Sequence, residues 1–586
     1  MEMEKQRDRE QERIRQLLEE VFDENCDSEF VDVSDIEEVD HVEVCHEDTD
    51  SEQDGEDSEH EMEVDIQPKQ VQPRGPSYIG KDNTTRWNIH CPPKKAVRTR
   101  RANIIIHLPG VKAYAKNART ALECWELFFG EDILNIIVTN TNMHIAEETS
   151  TYTRERRGKP TDVIETKALF GLLYLAGLLK SSRLNTKDLW DREGCGIERF
   201  WLTMSQDRFL FLLKHLRFDS NATRMERKEL DKFTHVREMF DLFTTNCKKS
   251  YTVGEHVTVD EMLLGFRGRC RFRQYMPSKP NKYGLKIFAL VDARTHYMLN
   301  WEPYLGIQPD GPYKQDNSQV SLVLRLISPI SGTGRNVTTD NFFTSFPLID
   351  RMLHEHRLTI VGTVRKNKRE LPPEFVNTKQ RPVGSSLFGF QENVTIVSYV
   401  PKKGKNVLLA SSMHYDDTID ETTGDANKPE IITYYNSTKG GVDTLDELCA
   451  TYDVARNTRR WPMVMLFAML NVAGVNSQII FSANNPTKKK FRRVYLKELA
   501  SELTSAHVNR RSLLTNLPPE IRKRRQEVAG TSIQAENVDQ FPPGTRRRCY
   551  LCKKDSKTKY SCKYCLKFIC LSHAQFACTN CNATIQ

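Results

Sequence analysis

A multidomain α/β protein is expected from three observations. Between residues 255 and 364, strand-like runs and helix-like runs stand in the order strand, strand, strand, helix, strand, helix, strand. On either side, from about residue 120 to 250 and again from 459 to 510, apolar residues recur every three or four positions, the period of amphipathic helices. The last 38 residues hold seven of the fifteen cysteines, six of them in closely spaced pairs and the seventh paired with a histidine. At 586 residues the chain exceeds one ordinary domain, and roughly three or four are expected.

Charge is distributed unevenly. Residues 1–65 contain 28 of the 79 acidic residues and 5 of the 85 Lys and Arg, a net −23, which leaves +29 on the remainder. A basic body behind an acidic tail points to a polyanion partner, with nucleic acid first. The opening MEMEKQRDREQER is charged throughout, unlike a secretory signal, and the longest apolar run, ALFGLLYLAGLL at 168–179, is too short to span a bilayer. A soluble intracellular protein is expected, with no membrane partner and with cysteines present as thiols or metal ligands.

Taken in order, residues 1–108 read as an acidic tail and a basic linker. The tail is too poor in aromatic residues to fold alone, although Ile14 to Phe22 is weakly amphipathic. The linker clusters Lys94, Lys95, Arg98, Arg100 and Arg101, a candidate import signal or phosphate-contacting arm. Residues 118–254 read as a helical domain, with Leu122, Trp125, Leu127, Phe128, Ile133, Ile136 and Ile137 in helical spacing, completed by 457–530. HVTVDEMLLGF then alternates like a strand with Asp260 at its centre. Two strands over 283–306 join at Asp292–Thr295, a helix covers Gln319–Ile327, and GRNVTTD runs to Asp340. NFFTSFPLIDRMLHEH is a helix and 358–364 a further strand. That order is the order of the RNase H-like α/β fold. Residues 255–364 would form its first part and 433–456 its last, with IITYYN as a strand leading into GGVDTLDELC. Residues 365–432 interrupt it as a β-rich insertion that opens on the basic run Arg365, Lys366, Lys368 and Arg369. A basic linker, 511–546, precedes the Cys-rich domain, 547–586.

Asp260 in a strand, Asp340 at a strand end and Asp443 on a helix offer three carboxylates from separate elements. Hard oxygen donors suit Mg²⁺ or Mn²⁺, and two such ions can drive phosphodiester displacement. Asp443 and Asp446, three apart, share a helix face, although acids also favour helix N-termini for the dipole alone. Glu261 should face away from Asp260, Asp292 reads as a turn residue, and Asp310 and Asp316 as solvated loop residues.

Four ligand pairs stand in the Cys-rich end: Cys549 with Cys552, Cys562 with Cys565, Cys570 with His573, and Cys578 with Cys581. They suffice for two tetrahedral Zn²⁺ ions in a segment too small to be stable without staples. If the pairs alternate, the module is a cross-brace zinc finger. RING and PHD modules share that arrangement, so ubiquitin transfer and histone-tail binding stand beside DNA binding. Arg546, Arg547, Arg548, Lys553, Lys554, Lys557 and Lys559 favour DNA.

The stretches VTVDEMLLGFRGRCRFRQYMPSKPNKYGLKI, NVTTDNFFTSFPL, LTIVGTVRKNKRELP, RPVGSSLF and YYNSTKGGVDTLDELC, followed by RRWPM, closely resemble piggyBac-type transposases. The resemblance covers roughly 120–510 and the Cys-rich end. It implies a cut-and-paste DNA transposase in the nucleus with an RNase H-like DDD core, a helical DNA-binding and dimerisation domain, and a homodimer acting on double-stranded DNA. It implies that Asp260, Asp340 and Asp443 are the catalytic metal ligands, with Asp446 an additional acid, and that hairpins formed at the ends are opened before the ends are joined at TTAA targets. Trp461 resembles the family's aromatic near the active site, where it would stack on an unpaired base or else sit in the core. The basic run at 365–369 is a further candidate DNA contact. The alternative is a domesticated DNA- or chromatin-binding protein without transposition; a zinc-dependent ubiquitin ligase is a third reading.

Overall fold

A computed structural model describes residues 42–44, 76–91, 104–149 except 106, and 158–514 except three isolated positions. Toward the C-terminus it describes 524, 546–552, 557–561 and 567–574. Ile14–Phe22, the basic cluster at 94–101, Lys553 and Lys554 lie outside the described residues. So do four of the expected zinc ligands, Cys562, Cys565, Cys578 and Cys581. The chain divides into two compact units, 1–511 and 512–586.

The first unit is built on one twelve-stranded mixed sheet. In chain order its strands are β1 (Val42–Val44), β2 (Ser77–Ile79), β3 (Arg86–Asn88), then β6 (His256–Gly265), β7 (Arg273–Tyr275), β8 (Tyr283–Asp292), β9 (Met298–Pro303), β10 (Asn336–Thr339), β11 (Thr359–Thr363), β12 (Ser386–Phe390), β13 (Thr395–Lys402) and β14 (Lys405–Ser411); β4 (Gly110–Val111) and β5 (Tyr251–Thr252) pair separately. At its centre the neighbours run β9, β8, β6, β10, β11. The first three are antiparallel, while β10 is parallel to both β6 and β11. β8 is buried along almost its whole length, as expected of a strand covered on both faces.

The sheet continues past this centre through two segments. The insertion does not form a sheet of its own: β14 pairs antiparallel with β11 and extends the central sheet through β13 and β12. Without that pairing β11 would present an open edge of unpaired backbone groups. Residues 76–91, expected within a linker, form the β2–β3 hairpin that continues the sheet beyond β12. Its anchor is Trp87, fully buried, with the indole N–H donating to the Glu370 carbonyl at 2.9 Å.

Helices cover the β9 side. Trp301 of β9 stacks on Phe240 and donates to Thr244, and Asn476 bonds the Met298 backbone in both directions, at 2.9 and 3.0 Å. Asn476 lies on the helix Trp461–Asn484, which by length and composition could cross a membrane. In the protein 83 % of its most apolar window is buried, as in the core helix of a globular domain. Tyr174, on the helix Val163–Leu178, accepts from the Trp125 indole and donates to the Leu470 carbonyl, so early and late helices share one core with the sheet. IITYYN, expected as a strand, lies within a helix, Glu430–Thr438, that sets Ile431, Ile432 and Tyr435 over β11, β13 and β14 in a smaller second core.

Candidate active site

Two strands present the same short pattern. Thr258 and Asp260 on β6, and Thr338 and Asp340 at β10, are each two residues apart and so point from one face of the sheet. The parallel register pairs Val259 with Thr339, which brings Asp340, one residue past the end of β10, beside Asp260. The Asp340 carboxylate accepts from the Phe342 N–H at 2.9 Å, and its carbonyl accepts from the Thr344 N–H and hydroxyl, so a tight turn fixes it at the strand mouth.

The third carboxylate arrives on the helix Gly441–Thr451, which packs against β6 and β8. Three threonines seat it. The Thr258 hydroxyl donates to the Thr438 carbonyl at 2.7 Å, and the Thr338 and Thr438 hydroxyls bond at 2.8 Å. Gly441 lies so close to β6 that a Cβ there would stand 2.4 Å from the Thr258 hydroxyl oxygen. Asp443 is exposed in the first turn and Asp446 half-buried one turn on.

Electrostatics tie these groups together. Burial, then the Glu261 and Asp340 charges, push the Asp260 carboxyl well above its usual range. Asp446 is raised by burial and by Asp443 and Asp453, with Lys279 acting against them. Burial works against the Lys279 ammonium, yet Glu261, Asp260, Asp443 and Asp446 together hold its pKa above the ordinary value. Its Nζ stands 3.7 Å from Glu261, a residue that is 3 % exposed. Lys279 is thus the cation set among the site's acids, and neither its charge nor its spacing marked it out in the sequence. The T-x-D repeat was the legible signal for the threonine seats.

The other candidates fall elsewhere. Trp461 is 3 % exposed, stacked on Phe233 and edge-on to Phe272 and His235, so it is a core residue and not a base-stacking surface. Arg365, Lys366, Lys368 and Arg369 lie in the loop after β11, tied to the β2–β3 hairpin through the Lys366 and Arg369 carbonyls. The Arg365 guanidinium lies over the Phe342 ring, two residues from Asp340. Asp292 is buried and accepts from the Arg294 and Thr295 N–H groups at the β8–β9 turn and from the Gly254 N–H ahead of β6, whereas Asp310 and Asp316 are exposed.

Of the eight zinc ligands expected in the second unit, four converge. Cys549, Cys552, Cys570 and His573 bring their ligand atoms within 4.8 Å of one another. Cys552 Sγ is 3.4 Å from both Cys570 Sγ and His573 Nδ1, close to the separation of about 3.8 Å between sulfurs held 2.3 Å from one tetrahedral zinc. Pair one therefore meets pair three, as an alternating arrangement requires. The cluster does not include Cys562, Cys565, Cys578 or Cys581, which lie outside the described residues. The described residues thus hold one Cys₃His cluster, and the second expected site lies outside them.

Residues 120–478 match the family model described as Transposase IS4, which defines the class as a transposase. The described fold resembles that of a chain in the cryo-EM structure of a piggyBac transposase synaptic complex with hairpin DNA. The TM-score is 0.71 and the identity 39 %, over 81 % of this chain and all of that one. The human PiggyBac transposable element-derived protein 3 is 23 % identical over 60 % of this chain. The human PiggyBac transposable element-derived protein 2 is 23 % identical over 58 %. The alignments cover about 60 % of the former's own length and 57 % of the latter's. The chain belongs to the piggyBac-type transposase family.

Proposed function

We propose that the protein is a metal-dependent DNA transposase whose active centre is built from Asp260, Asp340 and Asp443. The observation that carries this reading is the convergence of Asp260 and Asp340, in register on adjacent parallel strands, with the helix of Asp443 seated against them. The strand order β9, β8, β6, β10, β11 supports an RNase H-like core. All donors are carboxylate oxygens, which suits Mg²⁺ or Mn²⁺, and the raised Asp260 pKa marks a buried acid among like charges, a setting that favours a cation. Two ions held by these aspartates would activate a water or a 3′-hydroxyl and stabilise the leaving oxygen. Asp446 and Lys279 set the local charge and orient the ligand carboxylates. The Cys549, Cys552, Cys570 and His573 cluster fits zinc, and with the flanking Arg546, Arg547 and Arg548 it would grip transposon-end DNA. Cys562, Cys565, Cys578 and Cys581, the donors of pairs two and four, would hold a second zinc. The family resemblance extends the reading to ends that are closed as hairpins, reopened by water to free their 3′-hydroxyls, and joined at TTAA, by a homodimer in the nucleus.

The relatives named transposable element-derived support a second reading, a DNA- or chromatin-binding protein that retains the fold without moving DNA. Four unsubstituted aspartates and the higher identity to a transposase favour the first. Purified protein with Mg²⁺ should nick and hairpin a matched end, and Asp340→Asn should abolish cleavage while leaving end binding intact. Cleavage by the Asp340→Asn protein would overturn the metal-site assignment; DNA binding without cleavage by the unaltered protein would favour the second reading.

A further inference from the structure

Away from the aspartates, two histidines and a glutamate meet inside the helical part. His144 and Glu148 lie one turn apart on the helix Glu131–Thr149, and His215 ends the helix Gln206–His215. The residues His144 and His215 are 5 % and 0 % exposed, and the Glu148 side chain 26 %. His215 Nε2 stands 2.8 Å from one Glu148 oxygen and His144 Nε2 3.4 Å from the other. One ligand atom from each residue lies within 4.8 Å of the other two.

Geometry fixes the His215 tautomer. Its Nδ1 is 2.7 Å from the Phe211 carbonyl oxygen, which can only accept, so Nδ1 carries the proton. The ring is also held by stacking on Phe211, with centroids 4.0 Å apart. A neutral His215 then turns the Nε2 lone pair toward a carboxylate that also offers only lone pairs. Two acceptors at 2.8 Å require something between them: a second proton on the buried ring, a proton on the carboxyl, or a metal cation.

We infer that His144, Glu148 and His215 form a site for one divalent transition-metal ion, with zinc the best match. Two imidazole nitrogens and one carboxylate oxygen, with a fourth position left, make up a known zinc donor set. Ligand atoms 2.0–2.2 Å from one tetrahedral ion stand about 3.4 Å apart; the His144 separation from one Glu148 oxygen equals this, and the His215 separation from the other, 2.8 Å, falls below it. The backing is that of a metal-bound histidine, whose remaining N–H donates to a backbone carbonyl. Among the described residues, Glu147 lies 3.8 Å from His144 and Lys214 3.7 Å from Glu148. The ion would pin two helices at a junction that Arg460 also ties, through the Lys214 and Leu216 carbonyls.

The test is the zinc content of purified full-length protein beside Glu148→Gln and His144→Gln. Each variant is expected to hold one equivalent less than the unaltered chain, and Cys549→Ser should leave this equivalent in place. Equal zinc in all three would overturn the site and leave a buried histidine–glutamate ion pair. A variant that fails to fold is replaced by a measurement on the unaltered protein loaded with Co²⁺. Cobalt bands of nitrogen and oxygen ligation should then appear beside the thiolate charge-transfer bands, and thiolate bands alone would contradict the proposal.

Discussion

Gly441 carries more of the active-site geometry than its size suggests. A methyl group there would meet the Thr258 hydroxyl at 2.4 Å and the Thr258 Cβ at 2.9 Å, and the threonine is already committed to the Thr438 carbonyl. Gly441→Ala must therefore push the helix of Asp443 away from β6. The expected cost is about 1–3 kcal/mol, as for other overpacked sites, read by chemical denaturation. Cleavage should fall far more than DNA binding, because the displaced group is a proposed metal ligand. A variant with ordinary cleavage would show that the close approach is not needed. Thr258→Val keeps the shape and removes the donor, so it should cost about 1 kcal/mol and shift the metal dependence of cleavage.

The β2–β3 hairpin makes a sharper claim at the level of the element, because the sequence reads there as linker. Trp87 fills a fully buried place, tilted against Phe346 at 5.5 Å between ring centroids. Trp87→Ala is expected to lower stability by about 3–5 kcal/mol, a loss that an exposed linker residue would not cause. The same contrast explains what was legible. The β6, β8, β9, β10 and β11 strands and the Gln319–Ile327 helix were readable because each has its own alternation or period. The hairpin was not, since its partner β12 lies some 300 residues away and nothing local records the register Asn88 to Phe390. IITYYN misled through its β-branched and aromatic residues, whose strand preference is decided by packing. Ile431, Ile432 and Tyr435 instead share a helix face over the second core. At the site, Asp260, Asp340 and Asp443 were legible from residue type and position and the Thr258 and Thr338 seats from the T-x-D repeat, whereas Lys279 depends on contacts across the fold. Trp461 fits its helix period, and only its neighbours Phe233 and Phe272 reveal that it points inward.

For the molecule as a whole, the acids at the site link stability, pH and metal. Asp260 holds its proton more tightly in the folded protein than in the unfolded chain, through burial first and then Glu261 and Asp340. That contribution is fully present below the ordinary aspartate range and is lost as pH rises toward the raised folded value. A divalent ion competes with the same proton. Stabilisation by Mg²⁺ in thermal unfolding should therefore be larger at about pH 8 than at about pH 6, and Asp260→Asn should flatten the difference. A Mg²⁺ shift independent of pH would argue that the ion binds elsewhere. The central claim, that three aspartates from three elements surround one metal centre, is tested most directly by replacing Mg²⁺ with Fe²⁺ and letting ascorbate and peroxide cut the backbone beside the ion. Cuts are expected together near Asp260, Asp340 and Asp443, and excess Mg²⁺ should suppress all three in parallel. Cuts at one of these positions alone, or at none, would contradict the account.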